Sequence, residues 1–162
     1  MATNYYTFTD KFIVPCNSAT AYHYISDIED YPRWWSKVYK KITKLKDAPA
    51  GHPGARYAVT VSGFLPYSLT IENEITFIDK PSLILFDAYG DLQGKGKWIF
   101  CEVAEGTEIT FDWRIAANKK LIRLFSFLLK PSFKANHAFC VRKAKEGMTN
   151  DLHLKSQLGL SS

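Results

Sequence analysis

The sequence contains few cysteines and none of the patterns that bind metals. Its 162 residues include three cysteines, Cys16, Cys101 and Cys140, which are odd in number and far apart. There is no Cys-x-x-Cys pair and no Cys/His cluster with zinc spacing. We therefore predict no disulfide framework, no metal site and no cofactor, and a reducing, cytoplasmic setting fits this usage.

Long apolar runs are also missing. The longest apolar concentration, Leu121–Leu129, is interrupted by Arg123 and has about half the length that a membrane-spanning helix requires. Residues 1–6 lack a basic segment followed by an apolar stretch, so they show no secretory signal. The sequence predicts a protein that does not cross a membrane.

Positive charge is in excess, but no nucleic-acid motif accompanies it. The net charge is +5, and basic residues concentrate in Lys37–Lys46, Lys119–Lys134 and Arg142–Lys145. Such charge attracts anionic partners. These clusters alternate with residues expected in the core, which is typical of a solvated basic face. We predict no nucleic-acid partner.

Aromatic residues are abundant, at 15% of the chain. Large rings fill wide spaces between a sheet and a helix, and they also line pockets for apolar ligands. Composition does not separate these two uses. The chain has no internal repeat or linker, so we predict one domain over residues 1–162, with a core at about 5–155.

The order of elements begins with a strand and two short helices. Tyr5–Pro15 alternates apolar and polar residues, which predicts a strand. Asn17 or Ser18 is placed to cap a short helix that runs to about Ser26. A second short helix is expected around Asp30–Ser36, with Pro32 near its start.

About six further strands and a long helix follow. From Val38 to about Ile115, alternating segments are separated by short turns, as in a meander. In one of them Leu69, Ile71, Ile75 and Phe77 share a face, which predicts a sheet with one wet side. After Asn118 the period becomes helical to about Gly147, and Pro131 predicts a kink.

These patterns predict an α+β fold. A curved antiparallel sheet of about seven strands would wrap around the long C-terminal helix, and the two short helices would close one end. Space left between the sheet and the helix would form an apolar, ligand-sized interior.

Three segments resemble a known family. Asp27–Trp34 reads D-x-x-x-Y-P-x-W, Phe12–Pro15 precedes a helix, and Asn136-His137 lies ahead of Val141 and Gly147. Together they resemble the polyketide cyclase/dehydrase and lipid-transport branch of the START-like (SRPBCC) superfamily. The resemblance implies the helix-grip fold with a hydrophobic cavity. Members include lipid and sterol carriers, hormone receptors and aromatase/cyclases, and no catalytic motif matches residue by residue.

Several polar residues interrupt apolar faces. Asn73 lies on the apolar face of its strand, and Asp87 and Tyr89 share a face with Leu83 and Leu85. They orient a ligand if they point inward, or they turn outward at a strand end or bulge. His137 lies on the apolar stripe of the final helix. It is a structural residue, a ligand anchor or, as the one weak catalytic candidate, a general base.

Two apolar segments have open interpretations. Tyr31, Pro32, Trp34 and Trp35 form either an aromatic gate or ordinary packing. Because adjacent helical residues lie roughly 100° apart, we expect the two tryptophans to differ in burial. Leu121–Leu129 with its basic flanks is buried on two sides, forms a homodimer surface, or makes a peripheral membrane contact.

We predict a protein that binds or carries a small hydrophobic ligand, such as a lipid, an isoprenoid or an aromatic polyketide. The alternative is a cyclase or dehydratase that uses the same cavity. The predicted ligand contacts are Trp34, Tyr57, Val59, Ile71, Asn73, Trp98, Phe111, Trp113 and His137.

Overall fold

The computed structural model describes residues 5–49, 52–118 and 129–160. In chain order the elements are β1 (Tyr5–Val14), α1 (Ser18–Ser26), a 3-10 turn (Ile28–Asp30), α2 (Tyr31–Trp34), β2 (Tyr39–Lys46), β3 (Arg56–Ser62), β4 (Ser68–Asp79), β5 (Leu83–Gly90), β6 (Leu92–Val103), β7 (Gly106–Ala117) and α3 (Leu129–Gln157).

The seven strands seen in the described residues form one antiparallel sheet. Their order is β1-β7-β6-β5-β4-β3-β2, so β2 to β7 run as a meander and β1 returns beside β7. Strands that follow one another in sequence usually become neighbours in a sheet, as they do here from β2 to β7. The predicted fold class is confirmed: a curved seven-stranded sheet, two short helices after the first strand and a long C-terminal helix.

Strict alternation defines the inner face at the β1-β7-β6 end of the sheet. Phe8 and Phe12 of β1 lie opposite Trp113 and Ile109 of β7. Both phenylalanines and Ile109 are buried. Helix α3 packs on this face, where Phe133 contacts Phe8 with ring centroids 5.8 Å apart. This packing covers the apolar side of the sheet, as the sequence predicted.

One expectation about a strand face was wrong. A register shift between Ile75 and Phe77 of β4 turns Phe77 outward, where it is 48% exposed, and brings Ile78 into the cavity wall. An extra residue at a β-bulge reverses the alternation beyond it.

In β5 the inward residues are Ile84, Phe86 and Ala88, all buried. Asp87 lies on the outer face and pairs with Lys95 at 3.2 Å, and Tyr89 is exposed. The segment Leu83–Phe86 is apolar at every position, so its sequence contains no alternation from which the inward face could be read.

The two adjacent tryptophans are equally buried, which contradicts the expected difference. Trp34 is 5% exposed and Trp35 is 4% exposed. Helix α2 ends at Trp34, and Trp35 has φ −111° and ψ 37°, so the helical angle between neighbours no longer applies. Trp34 packs under Gly147 of α3, where a Cβ would lie 1.9 Å from the Trp34 carbonyl oxygen. The indole Nε1 of Trp35 donates to the Cys140 carbonyl at 2.9 Å.

Helix α1 begins as predicted. The Asn17 side chain accepts a hydrogen bond from the Thr20 amide at 2.8 Å, which caps the first turn. Helix α3 continues to Gln157, ten residues beyond the expected end at Gly147. The expected kink at Pro131 and the interpretations of Leu121–Leu129 depend on residues 119–128, which lie outside the described residues.

A polar cluster ties the C-terminal part of α3 to α1 and α2. Asp151 accepts hydrogen bonds from Tyr24 and Arg33 and forms an ion pair with Lys155. Burial of Asp151 would by itself raise its pKa, but the hydrogen bonds from these three residues lower the pKa to about 2.

Within the described ranges, no helix is both long enough and apolar enough to cross a membrane.

Candidate functional site

A cavity of about 140 Å³ lies between the inner face of the sheet and α3. Its wall is mostly apolar and includes Ile71, Ile84 and Val141. A cavity of about 150 Å³ with such a lining stays dry and binds benzene. The space therefore has the size of one six-membered ring.

The wall at strands β5 to β7 is a layer of parallel aromatic rings. Trp98 and Phe111 are register partners whose ring centroids are 4.0 Å apart at an interplanar angle of 13°. The ring centroids of Phe86 and Trp113 lie 6.3 Å and 5.8 Å from that of Phe111. Gly96 makes room for this layer, since a Cβ there would lie 2.2 Å from the Phe86 ring. Flat faces arranged in this way suit a planar apolar ligand.

The short helix α2 and the residue that follows it supply another part of the wall. Tyr31 and Trp35 both line the cavity and contact each other with ring centroids 5.4 Å apart. The Tyr31 hydroxyl donates to the Ile25 carbonyl, and burial raises the pKa of this hydroxyl well above its usual range. Tyr31 therefore remains neutral, and its hydroxyl is already engaged by the protein.

Seven of the nine predicted contact residues line the cavity. These are Val59, Ile71, Asn73, Trp98, Phe111, Trp113 and His137. Trp34 does not, because it packs under α3, and Trp35 takes its place in the wall. Tyr57 does not line the cavity either. It is half-buried between its register partners Lys44 and Asn73 and packs at the margin of the core.

Two polar atoms in this wall have no hydrogen-bond partner among the described residues. They are Oδ1 of Asn73 and Nε1 of Trp113, and both atoms are buried. Leaving such a group bare costs about 1–3 kcal/mol. Asn73 points inward because it precedes the bulge in β4. A ligand with a matching polar group would satisfy these atoms.

Among the described residues, His137 is the one cavity-lining side chain found in contact with a carboxylate. Its Nε2 lies 2.6 Å from Oδ2 of Asp10, and its side chain is 8% exposed. The ring stacks on Phe8 with centroids 4.0 Å apart. The interpretation of His137 as a hydrogen-bonded residue on the core stripe agrees with this geometry.

Asp10 was missed by the sequence reasoning. It occupies the apolar phase of β1, between Phe8 and Phe12, so a signal for it existed. The same signal singled out Asn73. Within the described part of the chain, no group of three or more His, Cys, Asp or Glu residues is placed to hold a metal.

Cys140 is a further polarisable group in the wall. Burial raises the pKa of its thiol to about 11. A protonated, buried thiol behaves as a small apolar side chain and is a poor nucleophile. Cys140 therefore contributes packing area rather than reactivity.

Solved structures share this architecture at low sequence identity. The di-domain aromatase/cyclase BexL from the BE-7585A biosynthetic pathway matches with a TM-score of 0.69 at 12% identity, over 90% of this chain and 49% of its own. The chain thus spans about half the length of that protein. A START superfamily protein from Mycobacterium smegmatis matches with a TM-score of 0.71 at 14% identity, covering 91% and 97% of the two chains.

The Zhui aromatase/cyclase from Streptomyces sp. R1128 matches with a TM-score of 0.69 at 10% identity, covering 94% of this chain and 96% of its own. The TM-scores of these three structures show a common fold. A comparison with curated proteins found no match.

A family model provides the sequence evidence. Residues 6–148 match the model described as polyketide cyclase / dehydrase and lipid transport, and this range includes all of the sheet except Tyr5 and most of α3. The match agrees with the curved sheet, the long C-terminal helix and the two short helices seen in the structure. The chain therefore belongs to the polyketide cyclase/dehydrase and lipid-transport family and has its START-like, helix-grip fold.

Proposed function

We propose that this protein binds a small hydrophobic ligand in the cavity between the sheet and α3. The cavity itself is the observation that carries the proposal, because a protein interior is otherwise packed as densely as an organic crystal. A void of about 140 Å³ forfeits contacts that side chains of slightly larger size would make. A ligand in this void would restore them.

The ligand would be held mainly by removal of its apolar area from water, at about 25 cal/mol per Å². The parallel rings of Trp98, Phe111 and Trp113 favour a flat molecule. Asn73 and His137 would then fix its orientation through a small number of polar contacts. The family's name and the neighbouring aromatase/cyclases agree with a ligand of this kind.

The cavity volume limits the ligand. About 140 Å³ accommodates one ring, whereas sites for drug-sized molecules occupy about 300–1,000 Å³. A lipid, isoprenoid or polyketide would place one ring or one branched segment here. Its remainder would require the wall to move outward or would extend through the mouth of the cavity.

Native mass spectrometry of the protein purified from its own host tests this proposal. We expect a species heavier than the bare chain, from which an apolar compound is released on denaturation. Val61→Phe adds a ring to the cavity wall and should abolish the adduct. Thr60→Phe adds the same ring at the preceding residue, whose side chain lies on the opposite face of β3, and this variant should retain the adduct. An adduct that is absent from the natural protein, together with no binding of any small aromatic probe, would contradict the proposal.

A cyclase or dehydratase that acts in the same cavity is the second candidate function. The buried His137 against Asp10 favours it, because a histidine held by a carboxylate is suited to proton transfer. If the compound released from the natural protein is a substrate, wild-type protein should convert it and His137→Ala should bind it without conversion. Equal loss of binding and conversion would argue for simple binding.

A further inference from the structure

Asp10 and His137 meet from opposite layers of the fold. Asp10 lies on β1, His137 lies on α3, and their side chains approach to 2.6 Å across 127 positions of sequence. Their side chains are 25% and 8% exposed. Burying a charged or strongly polar pair costs solvation free energy, and well-packed apolar residues at such positions often give equal or greater stability. Packing alone therefore does not account for this pair.

The carboxylate determines which ring nitrogen of His137 carries the proton. When the imidazole carries a single proton, Nε2 must be the donor to Asp10, because an ionised carboxylate only accepts hydrogen bonds. The other nitrogen, Nδ1, then carries a lone pair. No described residue makes a hydrogen bond to Nδ1, and the ring lines the cavity. The protein thus offers the ligand one hydrogen-bond acceptor with a fixed tautomer.

The surroundings of this acceptor are aromatic. The ring of His137 lies 4.0 Å from Phe8, and 5.9 Å from both Phe111 and Trp113. The indole Nε1 of Trp113 is a donor without a partner among the described residues. The two rings that carry this acceptor nitrogen and this unused donor have centroids 5.9 Å apart, and such a pair is complementary to a hydroxyl group, which both donates and accepts.

We infer that the cavity takes a ring that bears a hydroxyl group, a phenol or a cyclic enol, whose O–H donates to Nδ1 of His137. This inference rests on the proposed function and goes beyond it by naming the ligand class and the residues that select it. Asp10 is a positioning residue: it holds the tautomer and makes Nδ1 a stronger acceptor. If the proton transfers, the ligand O–H bond breaks, an N–H bond forms at Nδ1, and Asp10 stabilises the resulting imidazolium opposite the ligand oxyanion.

Phenol and toluene form the matched pair of probes, because they have the same ring and differ by a hydroxyl in place of a methyl group. Each affinity is measured by calorimetric titration at one pH. The quantity of interest is the ratio of the phenol affinity to the toluene affinity, which removes changes that affect both ligands. In His137→Phe we expect this ratio to fall about ten-fold, the value of one good hydrogen bond.

Asp10→Asn provides the second variant. Its amide can donate to Nε2, which moves the ring proton to Nδ1 and removes the acceptor, as in the serine-protease triad with Asn in place of Asp. We expect the ratio to fall here as well. Asp79→Asn makes the same chemical change at an exposed carboxylate away from the cavity and should leave both affinities unchanged.

Nitrogen-15 NMR of the histidine rings gives a readout that a purely structural role would not change. In the natural protein, His137 should show protonated Nε2 and bare Nδ1. Phenol should shift the Nδ1 resonance, and toluene should not. If His137→Phe fails to fold by circular dichroism, Asp10→Asn and this spectrum carry the test.

The outcomes separate the two proposals. If the natural protein binds neither probe, ligand binding in this cavity is wrong, and the inference fails with it. If it binds toluene but the phenol-to-toluene ratio is the same in Asp10→Asn and His137→Phe, the proposed function stands and the hydroxyl inference is overturned. A fall of the ratio in both variants, with the Nδ1 shift, supports both.

Discussion

Val59→Ile offers a sharp test of whether the interior is hollow, because the sign of the effect decides it. Val59 lines the cavity and is 1% exposed. Isoleucine keeps the β-branched shape that suits a strand and adds one methylene group. At about 24 cal/mol per Å³, a void of 140 Å³ corresponds to about 3 kcal/mol of unused packing.

The added methylene group should therefore stabilise the protein by about 0.8 kcal/mol, the value of burying one CH₂. For a chain of this size that is about 2–3 °C in melting temperature. Val14→Ile is the control: Val14 is fully buried on the same face of the sheet but does not line the cavity. Because Val14 is closely packed, the extra methylene group of Val14→Ile should lower the free energy of unfolding by about 1–3 kcal/mol.

Urea unfolding followed by tryptophan fluorescence measures both changes. Opposite signs for the two valines are the expected result. If Val59→Ile destabilises the protein as much as Val14→Ile, the space beside Val59 is already filled, and the reasoning about the cavity is refuted.

Three further predictions concern other parts of the molecule. Asp151→Asn should lower the free energy of unfolding by about 1–2 kcal/mol at neutral pH. Because the folded pKa of about 2 lies below the ordinary 3.8, this stability is complete above pH 3.8 and is lost as the pH falls toward 2, which acid titration of both proteins will show. Cys101 is exposed and should react with a thiol reagent at pH 8. Burial raises the pKa of Cys140 to about 11, so this thiol should stay unmodified until the protein unfolds, which peptide mapping will show. Gly147→Ala should lower the free energy of unfolding, measured in urea, by about 1–3 kcal/mol, because its methyl group would overlap the Trp34 carbonyl oxygen. An unchanged free energy of unfolding would contradict the close packing of α3 on α2.

The residues predicted best from the sequence lie on strands with one wet face. In β7, Phe111 and Trp113 alternate with the polar residues Thr110, Asp112 and Arg114, and both line the cavity as expected. A regular period of two specifies the inward face without other information. The stripe of α3 was predictable for the same reason, because His137 and Val141 are spaced for one helical face.

The residues predicted poorly lie where local geometry departs from a regular period. The bulge in β4 reverses the faces after Ile75, and nothing in the sequence marks the extra residue. Leu83–Phe86 is apolar throughout, so either face fits the core. Trp35 follows the end of α2, where the chain direction depends on tertiary packing. Asp10 shows a different limit, because its partner His137 is 127 positions away and only the folded chain brings them together.

The most direct test of the central claim is a crystal structure of the protein soaked with toluene. We expect density for the toluene ring inside the cavity, between α3 on one side and the stacked pair Trp98 and Phe111 on the other. Val59 and Ile71 should also contact the ring. Interlocking side chains throughout this region, with no ring bound, would contradict the account.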